Sequence, residues 1–319
     1  MLDELDSDSL VAEVVLAGAT NGVVLLVEGD LDQHFAETHL GQLGPVVNGR
    51  GKQRILQALP SVLRLTVPTV VMMDRDFDVL LGIDVTHERV VYTDRYNLEA
   101  TLLADGPTFD RLWRSHVWGA GLKRLSSDSA LRLALALAGP VGELRLLCRR
   151  LLIDLDLSSF PIGALVGRTT PLSVVCADEE GVIRLAIKRS ARSRWLKLRR
   201  TARGGGTMGP TSRYLRRKLA DQRRMFEGAD LISGHDIASA VNVLMAMCRT
   251  GGTPSARDLE FEAVVQFQRE DSPTVTVADR VEEAALVALA TVPSALRAWR
   301  RPRPTIRWRQ RGGPGSDPS

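Results

Sequence analysis

Two stretches decide the fold of this chain: residues 23–32, which read VVLLVEGDLD, and residues 67–78, which read VPTVVMMDRDFD. Each is an apolar run rich in β-branched residues that ends abruptly in acidic residues. Such runs predict strands that are buried on both faces, as in a parallel sheet covered by helices on each side. Because ligands of open α/β sheets bind at the carboxyl ends of the strands, both acidic ends are candidate site positions.

The alternation of strands and helices continues outward from these two stretches. We predict helices over residues 10–20, 31–40 and 50–63, a short strand at 45–47 and a third apolar strand at 90–92. This alternation is typical of a doubly wound parallel sheet. The predicted fold class is therefore α/β, with a parallel sheet and flanking helices.

After about residue 100 the pattern becomes helical. Apolar residues at helical spacing predict helices over residues 98–118, 129–138, 141–153, 236–248 and 280–299, and residues 172–176 with 182–187 are interpreted as a hairpin. We predict an α/β catalytic domain over residues 1–108 and a mostly helical basic domain over 109–299. The Arg-, Pro- and Gly-rich tail, residues 300–319, is predicted to be disordered.

The net charge of +4 conceals an asymmetry along the chain. Of the 42 Lys and Arg residues, 9 lie in residues 1–120, beside 18 of the 38 Asp and Glu residues. An acidic first third joined to a basic remainder suggests an acidic site beside a surface for polyanions. Only five basic residues are Lys, however, and so strong an Arg bias is also what a GC-rich genome produces.

Several classes of protein are disfavoured by composition and motif. Three singly scattered cysteines argue against a disulfide scaffold and fit a reducing cytosol. The acidic N-terminus is not a secretory signal, and no apolar run is long enough to predict a membrane span, so we expect a cytoplasmic protein. The chain has neither a P-loop motif nor a Gly-x-Ser-x-Gly motif, which argues against a P-loop ATPase and that type of serine hydrolase.

Acidic residues at the two strand ends suit a metal site. The candidates are Glu28, Asp32, Asp74, Asp76 and Asp78. Converging carboxylates raise one another's pKa unless a cation is present, and oxygen ligands in this number suit Mg²⁺ or Mn²⁺. Such a metal typically acts on phosphate esters. Acids after a strand also occur as helix caps, and this alternative stands for Asp32 in particular.

The two motifs together resemble the TOPRIM domain, in which an apolar strand ending in Glu-Gly-x-x-Asp precedes another ending in Asp-x-Asp. Here Glu28, Gly29 and Asp32 match the first motif, and Asp74 and Asp76 match the second. Residues 91–99 and 234–236 are similar to later elements of a TOPRIM-containing family that includes the nuclease subunit of the PARIS anti-phage system. The resemblance covers residues 20–105 well and residues 140–250 loosely.

The resemblance implies an activity and roles for the matching residues. Glu28, Asp74 and Asp76 would be catalytic, with Glu28 as general acid/base or metal ligand and the two aspartates holding Mg²⁺ or Mn²⁺. Asp32, Asp78 and Glu99 would complete the set of metal ligands. The implied function is a Mg²⁺-dependent nuclease that cleaves DNA or RNA, tRNA among the candidates, in an anti-phage system controlled by an ABC-type ATPase partner. Nuclease subunits of this kind often dimerise, so a homodimer is a further expectation.

A strongly basic stretch follows the predicted catalytic domain. Residues 184–226 carry 15 Lys and Arg against a single acid, with Trp195 and Tyr214 interleaved. Cations for phosphates with aromatics for stacking are features of nucleic-acid grooves. The candidate nucleic-acid-binding residues are Arg192, Arg194, Lys197, Arg199, Arg200, Arg213, Arg216 and Arg217. A solvated Arg-rich helix or an interface to an acidic protein is the alternative.

Two other functions stay open at this point. The chain is compatible with a non-catalytic regulatory or scaffold subunit that retains a relic TOPRIM core. It also resembles a haloacid-dehalogenase-like phosphatase with Asp74 as nucleophile, although that family expects Thr or Val where Asp78 stands. Outside the acidic motifs, Asp236 is a candidate helix cap, and His34 and His39 are interpreted as surface or packing residues because their i, i+5 spacing suits no shared metal.

Overall fold

The computed structural model describes residues 2–19, 22–117, 125–166, 179–200, 211–226, 230–248 and 253–291, and of residues 2–6 and 192–200 the backbone alone. Its four strands are β1 Val24–Val27, β2 Val46–Asn48, β3 Thr69–Met73 and β4 Val90–Tyr92. Its first six helices are α1 Leu2–Gly18, α2 Asp30–His39, α3 Lys52–Val62, α4 Asp78–Leu81, α5 Leu98–Leu103 and α6 Gly106–Val117. The next six are α7 Ser127–Leu151, α8 Glu179–Arg200, α9 Ser212–Met225, α10 Gly234–Cys248, α11 Ala256–Gln266 and α12 Val277–Ala290.

The strands form one parallel sheet in the order β2-β1-β3-β4, which confirms the predicted α/β class. Leu26 and Val71 lie in a cluster with α1 and α3 on one face of the sheet. Leu25 and Met72 lie in the larger cluster on the opposite face. Burial on both faces explains why β1 and β3 are continuous apolar runs in the sequence. Because β1 lies between β2 and β3, the winding reverses there, and a crevice opens at the carboxyl ends of β1 and β3.

The helices of the C-terminal half pack back onto the sheet. The buried cluster that contains Leu25 also contains Ala134 of α7, Val241 of α10 and Val281 of α12. Helix α12 contacts β3 and β4, and α10 contacts both α5 and α7. Residues far apart in the sequence therefore border the same end of the sheet.

Three predictions in the helical half are wrong. The helix predicted over residues 98–118 is two helices, α5 and α6. Residues 182–187, interpreted as half of a hairpin, belong to α8, where Val182, Ile183 and Ala186 are buried at helical spacing. The helices predicted over 129–138 and 141–153 are one continuous helix, α7, despite Pro140. Packing against α6, α9 and α10 along its length offsets the hydrogen bond that the proline removes. Residues 172–176 and the predicted tail 300–319 lie outside the described residues.

No helix within the described ranges is long and apolar enough to cross a membrane.

Candidate active site

The carboxyl ends of β1 and β3 bring two predicted site residues together. Val27 pairs with Met72 in the parallel register, so Glu28 and Asp74 follow adjacent strand ends. The Asp74 backbone N–H donates to Glu28 Oε2 at 3.2 Å. This bond ties the two acidic motifs to each other at the edge of the sheet.

Asp32 reaches the same edge from the first turn of α2. Its Oδ2 accepts a hydrogen bond of 2.9 Å from the Gly29 backbone N–H, so the capping role considered for this residue is present. The side chain is nevertheless buried, and its charge interacts with those of Glu28 and Glu99. The Asp32 carboxyl group thus caps α2 and also belongs to the acidic cluster, by which we mean Glu28, Asp32, Asp74 and Glu99.

Glu99 joins the cluster because α5 begins at this edge. Asn97 caps α5, with its Oδ1 accepting from the backbone N–H groups of Ala100 at 3.0 Å and Gly234 at 2.9 Å. Asp74 Oδ1 accepts from the Leu98 N–H at 3.1 Å. A Cβ at Gly234 would overlap Glu99, so only glycine allows α10 to begin this close to α5.

Burial raises the pKa of every carboxyl group in this cluster, and the charge of at least one neighbouring acid adds to the rise. Burial, with the charges of Glu99 and Glu28, raises the pKa of Asp32 to about 8. Burial, with the charges of Glu260 and Glu28, raises the pKa of Glu99 to about 7. Burial and the neighbouring acids hold the pKa of Asp74 well above its usual range, and burial raises the pKa of Glu28. Carboxyl groups that repel each other in this way favour the binding of a cation.

Asp76 and Asp78 are organised differently, around the side chain of Lys52. The Lys52 ammonium lies 2.7 Å from Asp76 Oδ2 and 2.8 Å from Asp78 Oδ2, and it donates to the Asp74 carbonyl at 2.6 Å. Asp76 holds a left-handed backbone conformation (φ 46°), and its N–H donates to the Tyr96 carbonyl at 2.6 Å. The six predicted metal ligands therefore form two groups: four whose carboxyl groups form no ion pair with Lys52 among the described residues, and two, Asp76 and Asp78, whose carboxylates do.

The donor chemistry of the acidic cluster, the group of four, fits a hard divalent cation. Its members are Glu28, Asp32, Asp74 and Glu99. All four offer only carboxylate oxygens, which Mg²⁺ and Mn²⁺ prefer. Among the described residues, no three His, Cys, Asp or Glu side chains are already arranged as a metal site. The carboxyl groups converge, but their side chains would have to close around an ion.

The Gly-His-Asp triplet at the start of α10 has a structural role in part. Asp236 is fully buried and accepts two 3.0 Å hydrogen bonds from the Arg145 guanidinium, so the predicted helix cap is instead an ion pair between α10 and α7. His235 Nδ1 lies 3.0 Å from Glu260 Oε1, and this contact raises the pKa of His235. The triplet thereby anchors α10 beside Glu99.

Arg75, between the two aspartates of the second motif, and the two histidines of α2 have their described contacts outside the acidic cluster. Arg75 donates from Nη1 to the Asp94 carbonyl at 3.1 Å. His39 packs against the rings of Phe35 and Phe267, and His34 packs against Phe261. The interpretation of both histidines as packing residues is confirmed.

A cleft of about 520 Å³ borders the site on the side of Asp76 and Asp78. Tyr96 and Phe77 line it from the sheet, and α7 with the segment after it forms the facing wall. The residues of that wall are Arg145, Cys148, Arg149, Leu152, Ile153 and Asp154. This wall contains two arginines. Arg145 is paired with Asp236, whereas Arg149 is exposed and lines the cleft without such a partner in the contacts described.

The predicted nucleic-acid-binding stretch is described only in part. Arg216 of α9 forms an ion pair of 2.7 Å with Glu180 of α8, so its charge is partly used within the protein. Arg213 and Arg217 are exposed. The side chains of Arg192, Arg194, Lys197, Arg199 and Arg200 lie outside the described residues, although their backbone belongs to α8.

Sequence reasoning missed three residues that shape the site: Lys52, Asn97 and Arg149. Lys52 could have been selected from the sequence, because it is one of only five lysines in an Arg-rich chain and follows the residues Gly-Arg-Gly after β2. The contacts of Asn97 with Gly234 and the position of Arg149 depend on tertiary packing between segments far apart in the sequence.

Comparison with known proteins identifies no relative. No protein-family profile matches the chain, and no curated protein sequence or solved structure is significantly similar to it. The resemblance to TOPRIM domains therefore rests on the motif residues themselves.

Proposed function

We propose that this chain is a divalent-metal-dependent nuclease of the TOPRIM type. One observation carries the proposal: four carboxyl groups, from the residues after β1 and β3 and from α2 and α5, interact electrostatically at the carboxyl edge of a parallel sheet. A cleft that Arg149 lines lies next to them, on the side of Asp76 and Asp78. A phosphodiester needs positive charge at the reacting phosphate and a group that accepts a proton from water. The acidic cluster and the cleft supply the means for both.

The four residues of the cluster share one role in this proposal, and Glu28 has a second. Glu28, Asp32, Asp74 and Glu99 would hold Mg²⁺ or Mn²⁺, which supplies positive charge to a phosphate group when bound. Glu28 is also the candidate general base, because burial raises its pKa and a carboxylate of higher pKa is a stronger base. The Asp74 N–H holds the Glu28 carboxyl group in place for that role.

The cleft supports a polyanionic substrate. Arg149 presents a guanidinium on the wall opposite Asp76, so a phosphodiester bound between them would be held by a charge-assisted hydrogen bond next to the acidic cluster. Phe77 and Tyr96 add apolar surface to the same cleft. These features suit DNA and RNA equally, and tRNA remains among the candidates.

The wider biological role follows from the motif resemblance alone. We propose a cytoplasmic effector of anti-phage defence, silenced by an ABC-type ATPase partner until infection. Such control is reasonable because an unregulated nuclease would damage its host. Purification of the chain together with the product of a neighbouring ATPase gene would test this association.

The test of the activity is a cleavage assay on the full chain. Supercoiled DNA and total tRNA are incubated with the protein in Mg²⁺, in Mn²⁺ and in EDTA. We expect metal-dependent cleavage of at least one substrate, and a loss of about 100-fold or more in Glu28→Gln, because a general base typically contributes that much. Glu37→Gln is the matched control, since Glu37 is exposed on the neighbouring helix α2.

Two results would contradict this function. Equal cleavage by wild type and Glu28→Gln would remove Glu28 from the site, and no cleavage of either substrate would favour a regulatory subunit. A covalent aspartyl-phosphate trapped at Asp74 would instead favour the phosphatase.

A further inference from the structure

The Lys52 ammonium is surrounded by oxygen atoms at distances a bound cation would have. Oxygens of Asp76, Asp78 and the Asp74 carbonyl lie 2.6 to 2.8 Å from Nζ. The side chains of Lys52 and Asp78 are each 14% exposed and that of Asp76 is 31% exposed, so solvent screens these contacts weakly. The Tyr92 ring lies 5.9 Å from Nζ and adds a cation–π contact.

The loop before α3 is built to deliver this side chain. The Gly49 N–H donates to the Val27 carbonyl at 2.7 Å, and the Gly51 N–H donates to the Glu28 carbonyl at 2.8 Å. These two bonds fasten the loop to the end of β1. Gly51 adopts a φ of +117°, which favours glycine, and the chain then enters α3 with Lys52 as its first residue. The lysine thus reaches the acidic residues after β3 from a rigid support.

A second divalent ion between Asp76 and Asp78 would compete with this ammonium. The ion would lie within a few ångströms of Nζ, where like charges repel strongly at low exposure. Both carboxylates already have a cationic partner, whereas the carboxyl groups of Glu28, Asp32, Asp74 and Glu99 form no ion pair with Nζ among the described residues, and Asp74 meets it only through its backbone carbonyl.

We propose that Lys52 is a built-in cation in the place of a second metal ion, so that the site binds one divalent ion rather than two. This inference rests on the proposed function, because it presumes that the acidic cluster binds metal. Lys52 is a positioning residue in this scheme: it holds Asp76 and Asp78, and with them the wall of the cleft. The ammonium also places one positive charge beside Asp76 and Asp78, which line the cleft.

The test is the number of Mn²⁺ ions bound by the full chain, measured by titration calorimetry and by the loss of the free Mn²⁺ signal in electron paramagnetic resonance. We expect one ion in wild type and two in Lys52→Gln, which leaves Asp76 and Asp78 without their cation. Lys52→Arg keeps the positive charge and should bind one. Lys188→Gln is the matched control, because Lys188 is exposed on α8, and should also bind one.

The outcomes separate this inference from the proposed function. Two ions in wild type, or one ion in a folded Lys52→Gln, would overturn the role of Lys52 while leaving a metal site intact. No ion in wild type would overturn the metal site itself and the inference with it. Circular dichroism and thermal unfolding establish that each variant is folded, and the wild-type count decides the question even if Lys52→Gln does not fold.

Discussion

At the scale of one residue, Asp32 lowers the stability of the folded protein at a position that the proposed function uses. Its carboxyl group is buried beside Glu28 and Glu99, and burial with their charges raises its pKa to about 8. Such a group destabilises the folded protein when it is ionised and no cation is bound. Its hydrogen bond to the Gly29 N–H recovers only part of this cost.

We therefore expect Asp32→Asn to be more stable than wild type in EDTA at pH 8 or above. Asparagine keeps the acceptor for the Gly29 N–H but removes the buried charge. The thermal midpoint should rise by about 2 °C or more, because 1 kcal/mol shifts it by about 2–4 °C in a large domain. Mn²⁺ should stabilise this variant less than wild type.

Asp30→Asn is the control for that measurement, since Asp30 is exposed two residues earlier on the same helix. A lower midpoint for Asp32→Asn than for wild type, or equal stabilisation of both by Mn²⁺, would remove Asp32 from the acidic cluster.

At the scale of elements, one largely buried ion pair joins helices α7 and α10 beside the site. Arg145 of α7 holds Asp236 of α10 with two hydrogen bonds, and α10 in turn positions Gly234 against Glu99. The packing of α10 against α7 and α5 therefore supports the acidic cluster from behind.

Loss of this pair should be costly. We expect Asp236→Asn to lower the free energy of unfolding by about 3 kcal/mol, because the partly buried Arg145 guanidinium loses its fully buried counter-charge. Asp128→Asn breaks an exposed Asp128–Arg132 pair on α7 and should change stability by only about 0.5 kcal/mol. Urea unfolding measures both, and equal effects would show that the buried pair has no special weight.

His39 lies at the interface of α2 with the end of α11. Its ring lies 5.0 Å from those of Phe35 and Phe267, with Nε2 3.0 Å from the Val264 carbonyl. Burial, and then the charge of His34, lowers the pKa of His39 below 6.5 in the folded protein. The unfolded chain thus binds the proton more tightly, and the contribution of His39 to stability is lost as the pH falls below about 6.5.

We expect His39→Gln to lose less stability than wild type between pH 7 and pH 5. Urea unfolding at each pH measures the difference. His87→Gln, in the loop before β4, is the control and should follow the wild type. An unchanged pH dependence in His39→Gln would contradict the role given to burial of the ring.

The sequence predicted elements best where burial is uniform. All residues of β1 and β3 are buried, so their apolar runs are unmistakable, and the acids after them mark the site. Residues 182–187 were mistaken for a strand because Val182 and Ile183 are β-branched, although their burial follows the spacing of a helix. The contact of Lys52 with Asp76 joins residues 24 positions apart, which no local pattern reveals.

At the scale of the whole molecule, the asymmetry of charge along the chain only partly becomes an asymmetry in space. Arg216 and Arg223 of α9 form ion pairs with glutamates of α7 and α8, so part of the basic stretch is neutralised internally. The cleft instead places Arg149 opposite the acidic motif. This arrangement makes Arg149 the better candidate for a phosphate contact close to the site.

We expect Arg149→Gln to weaken nucleic-acid binding without changing the fold. Fluorescence anisotropy in a Glu28→Gln background, which prevents cleavage, gives Kd at several salt concentrations. The slope of log Kd against log salt should fall by about one, as for the loss of one phosphate contact. Arg132→Gln, on α7, should leave the slope unchanged, and an equal slope for both variants would place the substrate elsewhere.

The most direct measurement is the anomalous scattering of Mn²⁺ in crystals of the full chain. If the acidic cluster is the metal site of a nuclease with Lys52 as its second cation, one peak should lie among the carboxyl groups of Glu28, Asp32, Asp74 and Glu99, with none between Asp76 and Asp78. The absence of a peak in that cluster at millimolar Mn²⁺ would contradict the metal-dependent nuclease.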